Sequence, residues 1–141
     1  TSLALLLRER LKGVMLDGDE MRATISTDLG FSKKDREEHN LRVARLAKAF
    51  EMVRIGPSAS NKQPWRVVLC ANVAHFYLDF NPDYGGNKMG FPMQKLDIGI
   101  AMCHFELACD ELGRKGRWAF EKPDIEVPNK QYQFIASYTF L

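Results

Sequence analysis

Trp65-Arg66-Val67-Val68-Leu69-Cys70-Ala71-Asn72-Val73-Ala74-His75-Phe76-Tyr77-Leu78-Asp79-Phe80 is the stretch on which the fold turns. Its two runs, 65–70 and 75–80, are rich in β-branched and aromatic residues and read as strands. In the second run Phe76, Leu78 and Phe80 fall on one face, and His75, Tyr77 and Asp79 on the other. The first face is expected to be core and the second polar. The few residues between the runs, including Ala71-Asn72, suit a hairpin.

Working downstream, Asn81 to Phe91 carries Pro82, Gly85, Gly86 and Gly90 and reads as a loop. A central helix is predicted over 93–112, with Leu96, Ile100, Phe105, Leu107 and Leu112 among its apolar positions. These spread around much of the circumference, which predicts burial on all sides and places Ile100 in the core. Gly99 weakens the helix, so a close approach by backbone or cofactor is expected there. Gly113 and Gly116 end the helix, and 118–120 and 132–138, separated by Pro123 and Pro128, are the last strand candidates.

Working upstream, Gly56 to Pro64 is a loop of turn formers and small polar residues. Ser32 caps a long helix over 33–54, and Asp35 at its third position completes a box-like start. Leu41, Ala44, Ala47 and Phe50 line one face of that helix; Lys34, Glu37, Glu38, Arg45 and Lys48 form a solvated opposite face. Before it come a helix over 20–28, a short strand Val14-Met15-Leu16 ending at Asp17-Gly18-Asp19, and a helix over 2–12. The sum is an α+β fold: a small, mostly antiparallel sheet packed on a central buried helix, with an N-terminal helix-strand-helix segment.

Composition excludes several classes. Of 141 residues, 45% are hydrophobic and 27% charged, which is ordinary for a globular domain and excludes a disordered or collagen-like chain. The 20 Lys and Arg exceed the 18 Asp and Glu by only two, too small a surplus to mark a nucleic-acid or membrane-surface binder. No run approaches the roughly 20 apolar residues that span a bilayer. Thr1 to Leu7 is soon charged at Arg8-Glu9-Arg10 and reads as a helix, not a signal peptide. Cys70, Cys103 and Cys109 are an odd count without repeated spacing, which suits a reducing cytoplasm. Cys103-His104 with Cys109 matches no zinc spacing, so no metal is expected.

Two family resemblances lie in order along the chain. Leu16-Asp17-Gly18-Asp19-Glu20-Met21-Arg22 and Asp28-Leu29-Gly30-Phe31-Ser32-Lys33-Lys34-Asp35-Arg36-Glu37-Glu38 resemble the LDGDxxR and DLGFSxxDRxE segments of adenylylsulfate kinases. That resemblance covers about residues 1–50. It implies Asp17 near the reacting hydroxyl, Asp19, Arg22 and Arg36 holding adenylylsulfate, and Phe31 stacking its adenine; the family's Asn after DRxE is His39 here. The GxxxxGK[ST] loop that cradles phosphates is absent, and phosphoryl transfer is almost entirely positioning and charge stabilisation, so kinase activity is not expected. Without that loop, Asp17 and Asp19 read as a solvated strand-end turn rather than a catalytic pair.

Pro57-Ser58-Ala59-Ser60-Asn61-Lys62-Gln63-Pro64-Trp65, followed by Leu96-Asp97-Ile98-Gly99-Ile100-Ala101-Met102-Cys103-His104-Phe105-Glu106-Leu107 and Glu111-Leu112-Gly113, resembles the FMN-dependent nitroreductase family, in its minimal single-chain branch. This covers about residues 50–141. It implies FMN with its isoalloxazine edge along the 57–65 loop, with Pro57, Ser58, Ser60, Asn61 and Gln63 in contact. It also implies NAD(P)H as electron donor, a small-molecule substrate and a homodimer. The family's Arg-rich phosphate grip at its opening is not seen in this chain.

The domain organisation read from these matches is 1–50 kinase-like and 51–141 nitroreductase-like, meeting within a continuous helical pattern and forming one compact unit. The expected function is a nitroreductase-like FMN oxidoreductase of full, impaired or absent activity. A non-catalytic fusion of two enzyme fragments is the alternative, and adenylylsulfate or adenine-nucleotide binding by the first segment is a second.

Overall fold

A computed structural model describes residues 18–84, 90–125, 129 and 131–141. The helix expected over 2–12 and the strand ending at Asp17 lie outside the described residues. The chain divides into two compact units with the border between Ala44 and Arg45.

In the first unit, α1 (Gly18–Ile25) is followed by the start of α2 (Lys33–Ile55), a helix within which the border falls. The capping signal at Ser32 is realised in full. The Ser32 hydroxyl accepts the Asp35 N–H at 3.1 Å, and the Asp35 carboxylate accepts the Ser32 hydroxyl at 2.8 Å and the Ser32 N–H at 3.3 Å. Met21 and Ile25 are buried. Arg42 ties the turn between the helices to α2: it forms a two-pronged pair with Asp28 at 2.6 and 2.9 Å, reaches Glu38 at 3.1 Å and donates to the Ile25 carbonyl. Buried His39 meets the Ser26 hydroxyl at 3.0 Å.

The second unit holds the rest of α2 and a four-stranded antiparallel sheet. Its strands β1 (Trp65–Cys70), β2 (Val73–Leu78), β3 (Gly116–Ala119) and β4 (Gln133–Phe140) lie in the order β1-β2-β4-β3, with α3 (Met93–Glu111) between β2 and β3 in sequence. Together they make an α+β fold. The hairpin closes through Ala71-Asn72, with Cys70 opposite Val73 and Ala71 in the left-handed region at φ 50°.

Aromatic packing builds the core. Phe105 of α3 is fully buried, its ring centroid 5.2 Å from those of Phe50 and Phe76, 5.4 Å from Tyr138 and 6.1 Å from Phe140. Trp118 closes the cluster against Phe76 and Tyr138. All of these pairs but Phe50–Phe105, which is tilted, meet edge-on, and such pairs add about 0.5–1.5 kcal/mol each beyond the area they bury.

Three expectations are corrected by this packing. The face of β2 expected to be polar is buried too, because β2 runs between β1 and β4: His75 meets the Ser137 hydroxyl at 2.8 Å and Tyr77 packs edge-on against Phe134. The central helix is buried on one side only. Gln94, Asp97, Ile98, Ala101, Phe105 and Cys109 face inward at helical spacing, while Leu96 is 50% and Leu107 62% exposed and Ile100 is half-buried. Gly99 is exposed, and among the described residues nothing stands within 4 Å of the position its β-carbon would take, so no close backbone approach among them explains it.

Candidate functional site

The loop between α2 and β1 is short and highly constrained. It starts at buried Gly56, where a β-carbon would meet the Val53 carbonyl at 3.1 Å and His104 Nδ1 at 3.3 Å. It ends at buried Pro64, whose carbonyl accepts the Asp79 N–H at 2.8 Å. Between them Ser60, Asn61 and Gln63 all occupy the left-handed region, at φ 51°, 52° and 48°. Each is a non-glycine residue in a conformation that costs of order 1 kcal/mol or more, so the surroundings must hold the loop in place.

Side chains do the holding. The Ser58 hydroxyl accepts the Gln63 N–H at 2.9 Å, and the Gln63 side-chain amide donates to the Arg54 carbonyl at 2.7 Å. Asp97 Oδ1 on α3 accepts the Ala59 N–H at 2.9 Å. Tyr84 and Ser60 share a hydroxyl–hydroxyl bond of 3.0 Å. Of the five residues expected to touch a flavin, Ser58 and Gln63 thus brace the loop, Pro57 is exposed at its start, and Ser60 and Asn61 stand exposed at its tip. Asp97 and Tyr84 escaped the sequence reading as site residues. For Asp97 a signal existed: an acid inside the most apolar helix of the chain.

Beside the loop lies an open cleft of about 390 Å3, lined by Lys62, Pro64, Arg66, Phe80, Pro82 and Gln94 among others. Arg66 is fixed at its edge by Asp79 at 2.8 Å and by the carbonyls of Gln63 and Trp65. Buried Gln94 accepts the Asn81 N–H at 3.0 Å, so α3 pins both chain segments that border the cleft.

The residues expected to hold an adenylylsulfate lie in the first unit. Asp17 is outside the described residues. Asp19 and Arg36 are exposed. Arg22 and Phe31 are brought together: the guanidinium carbon lies 5.0 Å from the ring centroid, and Nη1 donates to the Gly30 carbonyl at 2.9 Å. Among the described residues no group of three or more His, Cys, Asp and Glu is placed to hold a metal, and no helix is long and apolar enough to cross a membrane. Cys70 and Cys103 are exposed free thiols; Cys109 is buried, and burial pushes its thiol up to about 12.

Comparison with known proteins finds both resemblances. A segment of 46 residues is 46% identical to the adenylyl-sulfate kinase of Saccharomyces cerevisiae, covering 33% of this chain and 23% of that protein. The kinase of Emericella nidulans is 47% identical over 45 residues, 32% of this chain and 22% of that one. A probable adenylyl-sulfate kinase of Halalkalibacterium halodurans is 34% identical over 61 residues, 43% of this chain and 30% of that one. The chain thus spans less than a third of these relatives' length. Among solved structures, a nitroreductase family protein from Clostridium novyi NT superposes with a TM-score of 0.51 at 18% identity, over 69% of this chain and 72% of that one, which establishes a shared fold. The family described as "Putative TM nitroreductase" matches residues 28–109, a span that takes in all of α2, the braced loop, the hairpin and nearly all of α3. With more than half its length inside that match, the chain belongs to this nitroreductase family.

Proposed function

We propose that the chain is an FMN-binding, nitroreductase-like oxidoreductase that draws reducing equivalents from NAD(P)H and passes them to a small-molecule acceptor. The observation that carries this reading is the 57–64 loop, strained at three non-glycine positions and braced by four side chains, with Ser60 and Asn61 left exposed at its tip. Backbone strain held in this way clusters where ligands are gripped. The groups at the tip fit the cofactor: the Ser60 hydroxyl and the Asn61 carboxamide, both exposed, match a ring edge of alternating carbonyl and N–H. Lys62, exposed on the same loop, supplies a cation for an anionic substituent. FMN, when bound, supplies the hydride chemistry, and the chain's part is to bind and orient it and to exclude water. Pro64, Phe80 and Pro82 in the neighbouring cleft suit a flat, ring-bearing acceptor.

A homodimer belongs to the same proposal, supported by the exposed Leu96 and Leu107 on α3. A cytoplasmic location is supported by the three free cysteines. Titration of the purified chain with FMN, followed by flavin fluorescence, is expected to saturate in the micromolar range, and NADH or NADPH should then bleach the bound flavin. No binding at saturating FMN would replace this reading with that of a non-catalytic fusion. A second reading rests on the Arg22–Phe31 pair, a cation over an exposed ring that offers an adenine a stacking surface. Adenylylsulfate should raise the melting temperature if it binds there, and an unchanged melt removes that reading.

A further inference from the structure

We propose that Asp97 is the positioning residue of the 57–64 loop, and that it is retained for the shape of the flavin site at the expense of stability. The inference rests on the FMN reading above and deepens it. Asp97 sits in the second turn of α3 and is 2% exposed. Its Oδ1 accepts the Ala59 N–H at 2.9 Å, at the start of the tight Ala59–Asn61 turn. Its Oδ2 is buried and has no hydrogen-bond partner among the described residues. A buried carboxylate with one oxygen unpaired is unfavourable, and an apolar side chain of similar volume packs such a position better. Stability therefore does not account for an acid here.

The loop does account for it. Ser58 at the head of the turn makes no side-chain cap, so the Ala59 N–H is satisfied from α3 instead. The other braces run within the loop or to Arg54 and Tyr84; among the described residues, the Asp97 bond is the one that ties the turn to the helix packed on the sheet. Without it, Ser60 and Asn61 can relax from the left-handed region to ordinary backbone, which would swing the exposed polar groups away from their present directions. Asp97 acts through the turn and not by touching the flavin.

Two substitutions in the full chain separate this from a merely structural role. Asp97→Asn keeps an oxygen that accepts the Ala59 N–H; Asp97→Leu keeps the volume and removes the acceptor. Three readouts are taken: thermal melting, hydrogen exchange of the Ala59 amide by NMR, and FMN titration. For Asp97→Asn, Ala59 exchange and FMN dissociation constant are expected within about threefold of the parent. For Asp97→Leu, the melting temperature is expected to stay level or rise, while Ala59 exchanges at least about tenfold faster and FMN binds at least about tenfold more weakly. The proposal is overturned if Asp97→Leu leaves Ala59 exchange unchanged, or if its loss of FMN affinity comes with a fall in melting temperature. Should the parent chain take up no FMN, the cofactor reading falls on its own. Ala59 exchange in the level-melting Asp97→Leu variant then decides the clamp, a rise of about tenfold supporting it and no change overturning it.

Discussion

Gly116 opens β3 at a point where the backbone passes directly over the Tyr138 ring. A β-carbon there would overlap Tyr138 Cε1, and would stand 2.5 Å from the Thr139 carbonyl oxygen. Tyr138 is fully buried within the aromatic cluster, and burial pushes its hydroxyl up to about 12. Neither the ring nor the strand backbone has room to yield. Gly116→Ala is therefore expected to cost about 3 kcal/mol through overpacking, a drop in melting temperature on the order of 10 °C by circular dichroism. A melt within about 2 °C of the parent would show that β3 is free to shift. Ile100, by contrast, is only half-buried, although its place in an apolar helix suggests a core position.

At the scale of elements, two buried histidine–serine bonds link segments distant in sequence. His39 on α2 meets Ser26 just after α1, and His75 on β2 meets Ser137 on β4. Both imidazoles titrate below their ordinary 6.5: His39 through burial and then the nearby Arg22 and Arg42, His75 through burial. The unfolded chain takes up a proton at each near pH 6.5, whereas the folded chain resists it. The stability tied to these groups is thus complete above that pH and is lost as the pH falls through the lowered folded values. Melting temperature should decline as pH drops from about 7 toward about 5, and His75→Gln, which does not titrate, should flatten part of that decline. A His75→Gln profile parallel to the parent's would remove His75 from the account.

For the whole molecule the open question is what covers the outward side of α3. Leu96 and Leu107 are large and exposed on a helix whose other side packs on the sheet. Isolated exposed leucines are common, but two on one element, eleven residues apart and hence on one helix face, form a stripe. The homodimer proposal places a second copy there. Light scattering on a size-exclusion column should give a dimer for the parent at micromolar concentration. Leu107→Glu should shift it toward monomer with little change in the melt of dilute protein, because the side chain is 62% exposed within one copy. A parent that elutes as a monomer leaves the dimer without support.

The sequence by itself determined the local elements, because their signals are local. The Ser32–Asp35 box, a hairpin turn that includes Ala71-Asn72 and a helical pattern over 93–112 depend on hydrogen bonds between near neighbours, and each was legible from residue type and spacing; that the turn has only two residues, with β2 starting at Val73, the structure decided. The α+β class followed from those elements, and the family from motifs that run along the chain. Tertiary structure alone decided which faces are buried. Alternation in β2 could not show that β4 would flank it and bury His75 and Tyr77, and helical periodicity could not show that the sheet covers one side of α3 only. The candidate site divides in the same way. Ser58, Ser60, Asn61 and Gln63 were legible as a polar loop, but their division into braces and exposed tips was not. Asp97 stood out in the sequence only as an acid inside an apolar helix; its bond to an amide 38 residues away did not show there. A hydrogen bond across that separation leaves no periodicity in the sequence; it exists only once α3 has docked on the sheet and brought its carboxylate beneath the turn.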